Sequence, residues 1–202
     1  MKRQLSLEEY RAIDLTLFAV MLALFEFLIV RFATVSVYAV SLAAVITAVV
    51  YMRWGWWGAI HAVLAGVLFC FYYNGAAPPD QKLGMEQYII YPLGNLFSLA
   101  AVAALKKWGE ERVRQRTMAS LAFSLSVVLL MQGGRAVVAL ILGTYTLYQA
   151  LYHYFALDAL SILFTLVVTW IVRRLDGVFE EQRHYLTRIQ EERDREHGNT
   201  EQ

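Results

Sequence analysis

Apolar residues fall into six long runs divided by short polar breaks, near residues 15 to 31, 35 to 52, 56 to 73, 87 to 105, 118 to 143 and 154 to 172. A helix of about 20 residues spans the roughly 30 Å hydrocarbon core, and shorter runs cross where flanking residues reach the interface, so each run predicts a membrane span. The breaks at residues 31–34 and 53–55 are so tight that they join antiparallel neighbours. Two others are longer: Asn74 to Asp80 reads as a loop by its Gly, Pro and Asn content, and Lys106 to Thr117 as a charged loop or surface helix. The fifth run is long enough to tilt or to include a re-entrant turn at Gly133-Gly134.

The polar ends add two elements. Ser6-Leu7-Glu8-Glu9 fits a capping box, which predicts a short interfacial helix ahead of the first span or simply the start of that span. Beyond the last run, helical character continues from Arg173 to about Glu196, and Leu175, Phe179, Gln182, Leu186 and Ile189 follow the spacing of a heptad seam. A seam this short needs a surface to dock on, whether the cytoplasmic loop, another copy or a partner; a solvated extension of the last helix is the alternative. The chain thus divides into a membrane domain, residues 1–174, and a charged cytoplasmic helical tail, residues 175–202.

Composition agrees with the pattern. Of 202 residues, 58% are hydrophobic and 17% charged, with a mean hydropathy of +0.45, which excludes an ordinary soluble domain. The net charge of +1 gives no reason to expect nucleic acid. The distribution of Lys and Arg is lopsided, however. Lys2, Arg3, Arg11, Arg53, Lys106, Lys107, Arg112, Arg114, Arg116, Arg173 and Arg174 flank one side, and only Arg31 and Lys82 the other. By the positive-inside rule both termini are cytoplasmic, and the first run is a retained span rather than a cleaved signal. Fold class is therefore an all-α integral membrane protein with six transmembrane helices. The single cysteine, Cys70, excludes an internal disulfide and reads as a small buried side chain.

Ionisable residues inside such runs are costly, at least about 2.5–3.5 kcal/mol each, so those that persist mark a polar site or a structural pair. With a rise of about 1.5 Å per residue, Glu26 lies about 18 Å above Asp14 in the first run, and Gln132 and Arg135 lie about 21 and 25 Å above Met118 in the fifth. Asn95 sits about 10 Å below Tyr88, and Asp158 about 6 Å below Tyr154. All five fall in the outer half, whereas His61 falls in the inner half. Two readings stay open: Arg135 pairs with Asp158 or Glu26 to pin helices together, or the group binds a ligand from outside. Tyr72, Tyr73, Tyr88, Tyr91, Tyr145, Tyr148, Tyr152, His153 and Tyr154 lie near that level, as an interfacial belt or as rings over a flat ligand.

Small residues recur every four positions at Gly58, Ala62 and Gly66 and at Ala19 and Ala23, faces suited to close helix packing or to docking a membrane subunit. No metalloprotease, serine-hydrolase or phosphate-loop motif is present, so neither a catalytic centre nor a cofactor or metal is expected.

In these residues the chain resembles the substrate-binding S component of energy-coupling-factor (ECF) vitamin transporters, a family of small bacterial six-span proteins. Ala19-Val-Met-Leu-Ala23 is similar to the small-residue face by which the family contacts its transmembrane coupling subunit. The stretch from Arg53 through Gly58 and Ala62 to Gly66 is similar to its glycine-rich third span. The likeness covers about residues 12 to 174; the long charged tail departs from it. What the resemblance implies is capture of a vitamin-like nutrient at the outer face of a bacterial plasma membrane, with a coupling subunit and two ATPases driving release inside. Glu26, Asn95, Gln132, Arg135 and Asp158 would be ligand residues, and Ala19 and Ala23 coupling residues. A competing expectation is a non-transporting scaffold similar to rod-shape-determining membrane proteins, acting through its tail.

Overall fold

Helix α1 runs without interruption from Leu7 to Phe32. Its start is the expected capping box: the Glu9 amide donates to Ser6 Oγ at 3.2 Å and the Ser6 amide to Glu9 Oε2 at 2.9 Å. The interfacial segment and the first span are thus one element. The computed structural model describes residues 6–32, 40–175, 177–182 and 185–188, and every regular element among them is helical. After α1 come α2 (Ala43–Trp54), α3 (Ala59–Ala76), α4 (Gln87–Asn95), α5 (Leu99–Trp108), α6 (Glu110–Gln115), α7 (Thr117–Ile141), α8 (Leu147–Leu151) and α9 (Ala159–Val172).

Among the described residues, five helical runs are long and apolar enough to cross a membrane: Leu7–Phe32, Ala43–Ala76, Gln87–Trp108, Thr117–Ile141 and Leu147–Val172. The second of them doubles back. Gly55 closes α2 with φ +60°, a conformation that only glycine adopts without strain, and the following turn launches α3. Contacts with α1 fix the directions. Glu26, near the far end of α1, meets the first residues of α2, and Asp14 meets Arg53 at its last turn, so α1 and α2 are antiparallel. Leu15 meets His61, and Phe27 meets Tyr72, so α3 runs parallel to α1.

All residues of α2 are buried. A helix apolar on every side belongs in the middle of a bundle. The outer helices show the reverse: on α9 only Ser161, Thr165 and Thr169 are buried, while Leu163, Phe164, Val167, Trp170 and Ile171 are exposed. Apolar side chains facing outward over whole helices match a lipid surround, and the all-helical chain is compatible with a multi-pass membrane protein.

Two open alternatives resolve and one expectation changes. The glycine pair at 133–134 does not break α7, which is continuous. The charged segment after α5 is a surface helix, α6. The helix expected to run on past Arg173 ends at Val172, because Gly177 turns the chain with φ +69°. That turn sends the tail under the bundle, where Phe179 lies edge-on to Phe123 at 6.4 Å, Glu180 pairs with Arg114 at 2.9 Å and Gln182 is fully buried. The surface on which this part of the seam docks is the chain's own. Leu175 is exposed, and Ile189 lies outside the described residues.

Candidate functional site

The first turn of α2 sits against α1, and its free amides need acceptors in a place water does not reach. Glu26 supplies one: its Oε1 accepts from Ser41 Oγ at 2.8 Å and from the Leu42 and Ala43 amides at 3.1 Å each. A carboxylate at a helix N-terminus also meets the positive end of the helix dipole.

From there the bonds continue across the bundle. The Ser41 amide donates to Ser161 Oγ at 3.0 Å, and Ser161 Oγ donates to Asp158 Oδ1 at 2.6 Å. Asp158 Oδ2 receives Arg135 Nη1 at 3.1 Å and Gln132 Nε2 at 3.3 Å. Arg135 Nε donates to Asn95 Oδ1 at 2.8 Å, and Asn95 Nδ2 to the Ala62 carbonyl at 2.8 Å. One buried network therefore holds all five residues that depth brought together, and it touches α1, α2, α3, α4, α7 and the head of α9. Of the two pairings open for Arg135, the structure takes Asp158.

Two acceptors in this network are left over. Glu26 Oε2 and Gln132 Oε1 are fully buried and have no hydrogen-bond donor among the described residues. A buried polar atom without a partner costs about 1–3 kcal/mol, so the arrangement is complementary to a group that brings N–H or O–H donors.

Aromatic rings form one wall. The Arg135 guanidinium lies 4.5 Å over the Tyr91 ring, Tyr91 stacks on Phe69 at 4.8 Å, and Tyr154 stands edge-on to Tyr91 at 5.9 Å. Tyr154 Oη donates to Gln87 Oε1 at 2.9 Å, and Gln87 Nε2 to Tyr145 Oη at 3.3 Å. Of the tyrosines near this level, Tyr91 and Tyr154 are buried in the site, and Tyr148 and Tyr152 are exposed.

Close helix approach makes the network possible. Gly66 backs onto the Tyr91–Pro92 backbone and Gly134 onto the Gly94 carbonyl, contacts that a Cβ would block. With Ala62 fully buried and Gly58 against Tyr51, the small-residue face of α3 serves packing within the protein. Ala19 and Ala23 are half-buried on α1, one position past the buried Phe18 and Leu22.

Sequence reasoning missed the bridging hydroxyls of Ser41 and Ser161, without which Glu26 and Asp158 would be separate sites. A signal was present: Asp158, Ser161, Thr165 and Thr169 recur at intervals of three and four along an otherwise apolar run. It missed a second buried cluster as well, at the other end of α1. There Asp14 accepts from Arg53 Nε at 2.8 Å, Arg53 Nη2 at 2.7 Å and Trp54 Nε1 at 2.6 Å, and Arg53 reaches on to the Gly177 carbonyl. His61, between the two clusters, bonds the Leu15 carbonyl through Nε2 at 2.9 Å. Comparison with protein-family models, curated proteins and solved structures finds no match to this chain.

Proposed function

We propose that this chain is the membrane-embedded substrate-capture subunit of an ECF-type importer, with six spans, both termini inside, and a binding site for a vitamin-like small molecule near the outer face. The observation that carries the reading is the buried network of Glu26, Asn95, Gln132, Arg135 and Asp158, with its orphan acceptors Glu26 Oε2 and Gln132 Oε1 and its Arg135 guanidinium over the Tyr91 ring. The Arg135–Asp158 pair is the empty state of that site. A ligand with an anionic group and N–H donors replaces Asp158 on the guanidinium, stacks on the rings and satisfies the two acceptors. Ala19 and Ala23 then belong to the face that meets the coupling subunit, and ATPases on that subunit drive release.

The scaffold alternative draws no support from the tail, since Phe179 and Gln182, two of its seam residues, are buried against their own chain.

The test is mass spectrometry of the protein purified gently from its host, wild type beside Arg135→Gln. A stoichiometric metabolite in the wild type that is lost in the variant, together with a membrane subunit and ATPases, supports the reading. A folded wild type with no metabolite and no ATPase partner overturns it.

A further inference from the structure

At the end of the bundle that holds Glu26, a groove of about 670 Å³ opens between α1 and α3, lined by Phe27, Arg31, Phe71, Tyr72, Asn74 and Tyr88. It shares no residue with the Arg135 network, and its polar groups are unevenly engaged. Asn74 is used up in bonds to the Leu83 amide, the Leu83 carbonyl and Tyr88 Oη, and Tyr88 Oη donates to the Cys70 carbonyl. Arg31, in the last turn of α1, makes no hydrogen bond or ion pair among the described residues. The sequence that follows it, Ala-Thr-Val-Ser-Val-Tyr-Ala at 33–39, carries no acidic side chain that could match its charge.

The rest of the groove is ring surface. Tyr72 meets Phe27 edge-on at 5.6 Å and Phe71 at 5.7 Å. Phe27 and Phe71 are also its open rim, 48% and 65% exposed. Phe27 lies one helical turn, about 6 Å, from Arg31 toward the middle of the bundle. The complementary ligand has one negative charge at the level of Arg31 and an apolar body extending past Phe27 into the hydrocarbon. A soluble anion would use the guanidinium and leave the rings bare.

We propose that this groove is a binding site for an anionic phospholipid of the outer leaflet, with the lipid phosphate on Arg31 and an acyl chain along Phe27 and Phe71. Arg suits the role because its planar fork of donors matches phosphate oxygens. The site depends only on the chain being embedded in a bilayer with Arg31 on the outer side, so it stands or falls separately from nutrient capture.

The test is native mass spectrometry of the full chain released from bilayers containing phosphatidylglycerol and phosphatidylcholine with identical acyl chains. The wild type is expected to retain phosphatidylglycerol about fivefold over phosphatidylcholine, the effect of one basic side chain at an anionic surface. Arg31→Gln abolishes that preference. Lys82→Gln, which removes the other cation on this side, leaves it intact. Should Arg31→Gln fail to fold, Phe71→Ala serves instead and lowers retention of both lipids. Equal retention of the two lipids by the wild type, a preference that survives Arg31→Gln, or displacement of the lipid by inorganic phosphate each overturns the proposal.

Discussion

Asp14 and Arg53 form a two-point ion pair, Nε to Oδ2 at 2.8 Å and Nη2 to Oδ1 at 2.7 Å, at the end of α2 opposite the one that Glu26 caps. Helix α1 therefore holds the central helix by both ends, one carboxylate on its N-terminal amides and another on the arginine of its last turn. Both members of the pair are buried, at 8% and 6% exposure. Removing Asp14 strands the guanidinium, which for a buried pair costs about 3–5 kcal/mol. Asp14→Ala is expected to lower the unfolding free energy in detergent by that amount. The double variant Asp14→Leu with Arg53→Met is expected to recover part of it, since it removes the stranded charge but leaves Trp54 Nε1 without its acceptor. A single variant as stable as the wild type would mean that water reaches Arg53.

The adjacent glycines at 133 and 134 are expected to behave differently. A Cβ on Gly134 would overlap the Gly94 carbonyl oxygen and the Phe97 ring, whereas on Gly133 its nearest neighbour is Phe155 Cζ at 3.9 Å. Gly134→Ala should therefore cost about 1–3 kcal/mol through overpacking, and, by pushing α7 from α4, loosen the Arg135–Asn95 bond. Gly133→Ala is expected to be neutral or stabilising by up to about 1 kcal/mol, because alanine favours the helix. Thermal unfolding of the two single variants is sufficient to compare them.

The sequence made much of this site readable because helical rise converts position into depth, and depth alone grouped Glu26 with Asn95, Gln132, Arg135 and Asp158. Depth carries no azimuth, however, so Arg135 could not be assigned between Glu26 and Asp158 until the helices were packed. Nor could it reveal Ser41 and Ser161, whose hydroxyls are unremarkable in a list of small residues. The Asp14–Arg53 pair was hidden for a different reason. Both residues sit at run ends, where charges ordinarily face water, and the pair is enclosed by Trp54, Phe18 and the returning tail at Gly177. Gly177 in the left-handed region causes that return, and a heptad pattern running through it from Leu175 to Gln182 reads as unbroken helix.

The tail seam offers a direct comparison between two of its own positions. Phe179 is buried against Phe123, and Leu175 is 54% exposed. Truncating a buried Phe costs about 3–5 kcal/mol, and truncating an exposed apolar residue stays within about 0.5 kcal/mol. Phe179→Ala is thus expected to destabilise the whole chain and to speed tryptic cleavage in the segment after Arg173, while Leu175→Ala does neither. Equal effects would show that residues 177–182 do not hold this end of the bundle closed.

Helix α9 turns hydroxyls inward, and its two threonines differ in a way that fixes the sign of a third comparison. Thr165 Oγ1 donates to the Ser161 carbonyl at 2.7 Å, and Thr169 Oγ1, 1% exposed at residue level, has no partner among the described residues. Valine replaces threonine at nearly constant volume, so the hydroxyl is the main change. At 165 the substitution removes a bond that the helix would otherwise complete through its own backbone, with a loss of at most about 1 kcal/mol. At 169 it removes an unsatisfied hydroxyl from an apolar setting, and stability is expected to rise by about 1 kcal/mol or more. Unfolding of Thr169→Val against the wild type reads this directly. A fall instead of a rise would mean that the hydroxyl is hydrated in the membrane and that water enters the bundle along the Ser161, Thr165 and Thr169 face.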